Sequence, residues 1–328
     1  MRRYVLRRLV LSAVTLIFVA LVLYCVMRMI PTSFVEKKAL ERSQIPGGKS
    51  YSQWLLELRA LYGLDAGVPE GFFRWLKSAV RFDFGDSWKY GVPVVEKFNE
   101  VIWDSFWLAL AAGILRTAIA IPLGVLSARR QYRRTDYIVT LFALIGISLP
   151  TFFFATLLKL AFSVGLGWFE LFGKIGRDHA ALDAWEKALD IAKHYALPVA
   201  TLTLVSIGDL TRHTRSNMLE VLKSDYVRTA RAAGLPERTV MRRYAYRNTL
   251  VPTVTVLMGT LPGLFSGAMV TETLFQIPGI GYTAFQAMAE GDIPFTMFFS
   301  LFIAALTLLG TLAADLLYAA VDPRVRMR

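Results

Sequence analysis

The chain has 328 residues, 55% of them hydrophobic and 19% charged, with a formal net charge of +12. That apolar share is above what a soluble domain of this length usually carries, so composition points to a polytopic membrane protein. A single cysteine, Cys25, excludes an intramolecular disulfide and any multi-cysteine metal site, and inside its apolar run it reads as packing.

A bilayer core takes about 20 apolar residues per helix. Six stretches answer to that in chain order: 9–30, 101–127, 137–165, 195–210, 249–271 and 295–320. The first is too long for a signal-peptide core and lacks a convincing cleavage site, so it is expected to remain as an anchor. In the 31–100 segment, Trp54, Leu55, Leu58, Leu61 and Tyr62 fall on one helical face, as do Phe72, Phe73, Leu76 and Val80. This predicts a small helical cap on the outer membrane face. Trp103, Trp107 and Trp168 stand near outer helix ends, where an aromatic belt belongs. The third stretch carries Pro150 in ISLP, and the fourth is short and ends at Asp209. Between them, residues 178–194 form a charged insertion of helical character. His179, His194 and His213 are scattered without ligand spacing, so no zinc site is expected. The fifth stretch repeats Gly259, Gly263 and Gly267 every four residues with Pro262 free to kink it, a pattern that serves close helix approach. Whether that row and Pro150 line a passage or only pack helices stays open. Arg116, Lys159, Asp209, Glu272 and Asp315 are ionisable residues inside apolar runs and therefore functional candidates. Most lie near a helix end, where snorkelling accounts for them; Arg116 and Asp315 stand apart.

Orientation follows from the basic residues. Arg2, Arg3, Arg7 and Arg8, then Arg129, Arg130, Arg133 and Arg134, then the 212–247 loop and Arg324, Arg326 and Arg328 share one side. The opposite connections are poor in Lys and Arg, and residues 272–294 have none. The positive-inside rule puts both termini and the 212–247 loop in the cytoplasm.

That loop contains YVRTARAAGLPERTVMRRYAYRNTLVP at 226–252, a basic helix–Gly–helix stretch. Read alone it could pass for a DNA-reading helix-turn-helix. Membrane runs border it closely on both sides, however, and a helix-turn-helix needs a third helix and its own core. Nucleic acid is excluded as a partner on that ground. Basic residues that merely set topology are the plainer alternative. Against it, Ser224 or Asp225 suits a helix cap, and Ala230, Ala232 and Ala233 keep a tip slim. Gly234 fits the left-handed position past a helix end, and Pro236 with Glu237 suits the first turn of a second helix. The sequence thus describes a slim, rigid corner.

The same stretch resembles the cytoplasmic loop of ATP-binding-cassette importer permeases, in the form found in the dipeptide/oligopeptide branch. MRRYVLRRLV, FFRWLKSAVRFDFGDSW, IPLGVLSARR, ISLPTFFFATLL, ETLFQIPGIG and VDPRVR are similar to that branch as well, so the resemblance covers nearly the whole chain. It departs at three places. Arg228-Thr229-Ala230 stands where the wider family opens with Glu-Ala-Ala, Tyr244 stands where the branch commonly has His, and the 178–194 insertion has no match. The resemblance implies an all-α integral membrane protein with six transmembrane helices in the type I importer permease fold. Its parts would be 1–30 (cytoplasmic end and first span), 31–100 (outer helical region), 101–320 (permease core) and 321–328 (cytoplasmic tail). Tyr226, Arg228, Thr229, Ala230, Arg231, Ala232, Ala233, Gly234 and Leu235 would form the coupling helix that sits in a groove of a separate ATPase. Pro150, Gly259, Gly263 and Gly267 would belong to the pathway or its packing, and Glu272, Pro278, Gly279 and Gly281 to the outer gate or simply to the tie between the fifth and sixth helices. The implied partners are a second homologous permease subunit, two ATP-binding subunits, an extracytoplasmic substrate-binding protein, which the 31–100 cap either contacts or leaves alone, and the lipid bilayer. The implied place is the prokaryotic inner membrane. ATP and Mg would be held by the partner subunits, and no cofactor by this chain. Peptides are the implied substrates, with oligosaccharides or nickel as alternatives within the same permease type.

Two motifs are decoys. GGKS at 47–50 would need Gly at position 43 to make a Walker A loop, and Ser43 stands there. Gly279, Gly281 and Ala284 spell GxGxxA but follow a membrane run and no βαβ unit. The chain is expected not to be an enzyme. A self-contained secondary carrier or channel is the rival class; it would show internal repeats and mid-membrane titratable pairs, which are not visible here.

Overall fold

The computed structural model describes residues 2–29, 34–45, 49–61 and 65–321. In chain order the helices are α1 (Arg2–Met29), α2 (Phe34–Ser43), α3 (Tyr51–Leu61), α4 (Val68–Ala79), α5 (Val94–Arg129), α6 (Arg134–Ser148), α7 (Thr151–Leu158), α8 (Ala184–Leu222), α9 (Asp225–Ala232), α10 (Glu237–Thr239), α11 (Arg247–Gly259), α12 (Met269–Phe275), α13 (Ile280–Glu290) and α14 (Ile293–Val321). Two π-helical segments, Lys159–Gly165 and Val240–Tyr246, extend α7 and join α10 to α11. Among the described residues there is no strand, only an isolated bridge between Asp86 and Pro93. Among the described residues five helices are long and apolar enough to cross a membrane, six if one bent pair counts as a single span. Helices satisfy their own backbone groups, which is what the hydrocarbon core demands.

The chain divides into two compact units. The first comprises residues up to Ile102 with Thr283–Ala313, the second Trp103–Tyr282 with Ala314–Val321. In the first unit, Phe72 on α4 is buried with Ala20 and Tyr24 of α1 and Met297 of α14, flanked by Trp75 and Leu76. Gly71 makes this approach possible, because a Cβ there would collide with the Tyr24 hydroxyl. Trp54, Leu55 and Leu58 of α3 pack with Val35 and Ala39 of α2. Two residues expected on the buried face of α4 lie elsewhere: Phe73 and Val80 are exposed. One residue on from Phe72 is about 100° round the helix, which turns Phe73 out. Tyr62 falls outside the described residues, as do the side chains of Leu61 and Asp315 and the 322–328 tail.

Three expected spans take a different form in the second unit. The third breaks at Pro150, where α6 and the α7 segment meet at 104°. Proline disfavours helical backbone before it, and Leu149 is extended at ψ 130°. The fourth is not short: α8 runs 39 residues and contains most of the charged insertion as its first turns. It starts at a capping box, with Asp183 Oδ1 accepting from Glu186 N at 2.7 Å and Asp183 N donating back to Glu186 Oε2 at 3.2 Å. The fifth is interrupted: α11 ends at Gly259, a 3₁₀ turn covers Leu261–Phe265, and Gly267 at φ +75° starts a new direction before α12.

The glycine row is therefore not a packing stripe of one helix. A Cβ at Gly259 or Gly263 would meet nothing within 4 Å. Of the row only Gly267 meets backbone, and on the long helices backbone contact occurs at three glycines outside it. A Cβ at Gly146 would come 2.7 Å from Leu204 O, one at Gly124 would come 2.7 Å from Thr211 O, and one at Gly208 would strike Ala143 O. Small residues bring α5 and α6 onto α8 as they do wherever membrane helices touch closely. Gly208→Leu is accordingly expected to lower the stability of the purified chain by about 2–3 kcal/mol through overpacking, and Gly263→Leu by less than about 0.5 kcal/mol. Thermal unfolding in detergent measures both; equal losses would contradict this packing.

Candidate functional site

The corner predicted at 226–236 has a defined architecture. Ser224 is the N-cap of α9 by backbone conformation, yet its Oγ donates to Val221 O at 2.6 Å and caps no α9 amide. Val227 and Ala230 face inward and are buried with Val240, next to Leu235 and Tyr244. Ala230 thus fixes the angle between the two arms of the corner and does not shape its tip. Tyr226, Arg228, Thr229, Arg231, Ala232, Ala233 and Gly234 are exposed. Gly234 has φ +75°, as the turn was expected to require, and open space where a Cβ would sit. Pro236 is the N-cap residue of α10 rather than part of its first turn. Across the turn Arg231 clamps Glu237 with Nη2–Oε1 at 2.9 Å and Nε–Oε2 at 3.2 Å. A fork-on-carboxylate contact fixes geometry better than a point charge does. Beneath it, Met218, Met241, Ala245 and Ala128 form a separate apolar cluster that carries the corner on α8 and α5.

The residues expected at the outer gate come together around one carboxyl group. Glu272 is fully buried. Its Oε1 accepts from Ser105 Oγ at 2.7 Å and from Ala268 N at 2.8 Å, and its Oε2 accepts from Tyr282 N at 2.9 Å. Ser105 Oγ in turn accepts from Ile280 N at 2.7 Å. Three glycines clear the space. A Cβ at Gly279 would lie 2.5 Å from Glu272 Oε2, one at Gly281 would lie 2.7 Å from Met269 N, and one at Gly267 would strike Gly281 N. Gly267, placed by its spacing in the helix-packing row, belongs to this cradle instead. Pro278 is exposed beside it, and Pro150, Gly259 and Gly263 lie outside it. GxGxxA here serves the approach of two backbones to a carboxyl, with no nucleotide fold around it.

Lys159 does not snorkel. Its Nζ donates to Leu274 O at 2.7 Å and lies 3.8 Å from the centre of the Phe172 ring, so it caps the end of α12. Arg116 keeps a buried Nε without a hydrogen-bond partner among the described residues. His179 and His194, far apart in sequence terms, both reach Asp190: His179 Nδ1 lies 2.6 Å from Oδ2 and His194 Nδ1 lies 3.3 Å from Oδ1. No group of three or more His, Cys, Asp or Glu suited to a metal ion occurs among the described residues. Sequence reasoning missed Ser105, Asp136 and Arg215. Asp136 accepts from Arg215 Nε at 2.7 Å and Nη2 at 2.8 Å, from Tyr132 N at 2.9 Å, and from Ser127 Oγ. It also missed Asp292 in the first unit, which accepts from Lys89 N at 3.1 Å and Phe295 N at 3.1 Å and so pins the GDSWKYG loop to the start of α14.

Residues 120–327 match the family described as binding-protein-dependent transport system inner membrane component. The oligopeptide transport system permease protein AppB of Bacillus subtilis is 38% identical over 80% of this chain and 82% of its own length. The dipeptide transport system permease protein DppB of Escherichia coli K12 is 33% identical over 99% of both chains. The oligopeptide transport system permease protein OppB of Salmonella typhimurium is 32% identical over 99% of this chain and 100% of its own. With more than half of its length matched and this membrane-helical fold, the chain belongs to the family of binding-protein-dependent transport system inner membrane components.

Proposed function

We propose that this chain is the permease subunit of an ATP-driven peptide importer of the prokaryotic inner membrane. It supplies half of a transmembrane pathway to which a substrate-binding protein delivers di- or oligopeptides. The relatives named for oligopeptide and dipeptide transport support the substrate class. In this reading both termini and the corner face the cytoplasm, and the other half of the pathway is a second, homologous permease. Two separate ATPase subunits hold ATP and Mg. Residues 31–100 are the outer cap, 101–320 the core and 321–328 the tail. The knot around Glu272, with Pro278, Gly279 and Gly281, belongs to the outer gate, and Pro150, Gly259 and Gly263 stand along the pathway.

The observation that carries the reading is the corner itself. A buried Val227–Ala230–Val240 hinge and an Arg231–Glu237 clamp make it stiff, while its tip is small and exposed. A stiff tip transmits a displacement that a floppy loop would absorb. Ala232→Trp is expected to keep it out of an ATPase groove, and Gly234→Val to strain a left-handed turn by about 1–3 kcal/mol. Both variants should insert in normal amounts. Each is expected to lose ATPase co-purification, or substrate-stimulated hydrolysis, by ten-fold or more. Wild-type values for both would remove the coupling assignment.

A further inference from the structure

The π-helical segment Val240–Tyr246 does something that an α-helix could not. Arg238, Arg242, Arg243 and Arg247 line one shallow cavity of about 480 Å³, together with Thr239. Nine residues of α-helix make about two and a half turns, which would put Arg247 on the side opposite Arg238. The wider i→i+5 turn lags behind that rotation and returns Arg247 to the same face. π-bulges are rare and recur at functional sites, so a bulge that gathers four guanidinium groups calls for a reason.

Their surroundings supply one. All four arginines are exposed, and among the described residues none of them forms an ion pair or a side-chain hydrogen bond. The nearest acid in sequence, Glu237, is already taken by Arg231. The group lies where the corner runs into an apolar span: Arg247 opens α11, and Val251 and Val254 just beyond it are exposed. Four unneutralised guanidinium groups above an apolar helix face match a phosphate carried on acyl chains. Guanidinium forks bind phosphate oxygens in pairs, and basic pockets at the cytoplasmic end of membrane helices take acidic headgroups.

We propose that Arg238, Arg242, Arg243 and Arg247 form a binding site for the phosphate headgroup of an anionic phospholipid in the cytoplasmic leaflet. The site rests on the reading that this loop faces the cytoplasm. It steadies the arm that joins the coupling corner to α11, so bound lipid tunes how firmly the corner is held.

The test uses the assembled transporter in mixed micelles of phosphatidylglycerol and phosphatidylcholine, with bound lipid counted by native mass spectrometry. Wild type is expected to retain phosphatidylglycerol selectively. R238Q/R242Q/R243Q/R247Q should retain it on the order of a thousand-fold less, and R242Q/R243Q about thirty-fold less, following the strength of single basic residues near an acidic membrane surface. A control with Arg129, Arg130, Arg133 and Arg134 changed to Gln removes the same charge from another basic segment and should keep the lipid. Equal retention in wild type and both cavity variants overturns the proposal. So does an equal fall in the control, which would mean bulk charge alone. Displacement of the lipid by excess inorganic phosphate would make this a free-phosphate site. Loss of ATPase subunits with lipid retained would make it a protein contact. Topology is read separately: Lys223→Cys, an exposed position of the same loop outside the tip, in a Cys25→Ser background should react with an impermeant maleimide only from the cytoplasmic side. Labelling from outside would defeat the functional reading while leaving the lipid counts to stand or fall by themselves.

Discussion

Glu272→Ala is expected to destabilise the purified chain by about 3–5 kcal/mol. Three donors converge on that carboxyl: Ser105 Oγ, Ala268 N and Tyr282 N. The residue has no exposure, so water does not replace it. Each donor left buried without an acceptor costs about 1–3 kcal/mol, and the hole left by the side chain adds a cavity term. The chain's own geometry restricts repair. Gly267, Gly279 and Gly281 are glycines because the backbones around the carboxyl are already in contact, and tightly packed backbone collapses little. Glu272→Gln keeps the volume but offers an amide to one donor, so it should fall between wild type and Ala. Gly279→Ala attacks the same knot from the other side and should also destabilise, because its Cβ would press on the carboxyl. Thermal unfolding in detergent ranks the four proteins. A Glu272→Ala chain that melts with wild type would show that the knot is ornamental. If the knot also belongs to the outer gate, peptide uptake should fall in Glu272→Gln even at temperatures where the variant is folded.

The corner and the cradle differ in how far the sequence announces them. The corner is local. Asp225, the run of small residues, Gly234 and Pro236 lie within about a dozen positions, and each restricts the backbone at its own site, so helix, turn and helix follow from neighbours alone. Its inner face was less legible, because Ala230 packs against Val240 across the turn and small size alone does not tell a tip from a hinge. The cradle is non-local: Ser105 and Glu272 are 167 residues apart. A serine inside an apolar run carries no periodic signal, and only the fold shows what it faces.

The glycine row misled for a related reason. Every-fourth-residue spacing presumes a continuous helix, whereas α11 ends at Gly259 and Gly267 turns the chain at positive φ before α12. Gly124, Gly146 and Gly208, which do meet backbone, sit on three different helices and share no spacing to find. The length of α8 was within reach. Asp183 and Glu186 stand in capping-box positions, and reading them as a helix start would have joined the charged insertion to the span behind it. The π-helix was out of reach, since VMRRYAY has no residue that forbids ordinary α geometry.

Asp136 was hidden by its company. In ARRQYRRTD it looks like a stray acid in a topology signal, and the fold makes it the hub of the α5–α6 turn. Tyr132 there holds φ +62°, an unfavourable conformation for a bulky residue, and its N–H is tied to Asp136 Oδ2. Arg215 reaches over from α8 with both nitrogens of its fork, and Arg215 Nε also lies 3.1 Å from Ser127 Oγ. The ion pair is largely out of water, with the Asp136 side chain 5% exposed and that of Arg215 26%. Removing one partner of such a pair strands the other, so Asp136→Ala is expected to cost about 3–5 kcal/mol. Arg215→Leu should cost less, because Ser127 and the Tyr132 amide still satisfy the carboxyl and a leucine fills part of the arginine's volume. The double variant should be milder than the sum of the singles, leaving a coupling energy of about 1–3 kcal/mol in a double-mutant cycle. Little of this should respond to salt, since screening acts on exposed charges. Additive losses would mean that the two residues act separately. α8 runs from this lock to Leu222, a few residues before the corner begins. A variant that folds but lacks the lock should therefore keep its ATPase subunits and lose the dependence of hydrolysis on substrate. That split separates the lock from the tip residues Ala232 and Gly234, whose change is expected to act on ATPase docking itself.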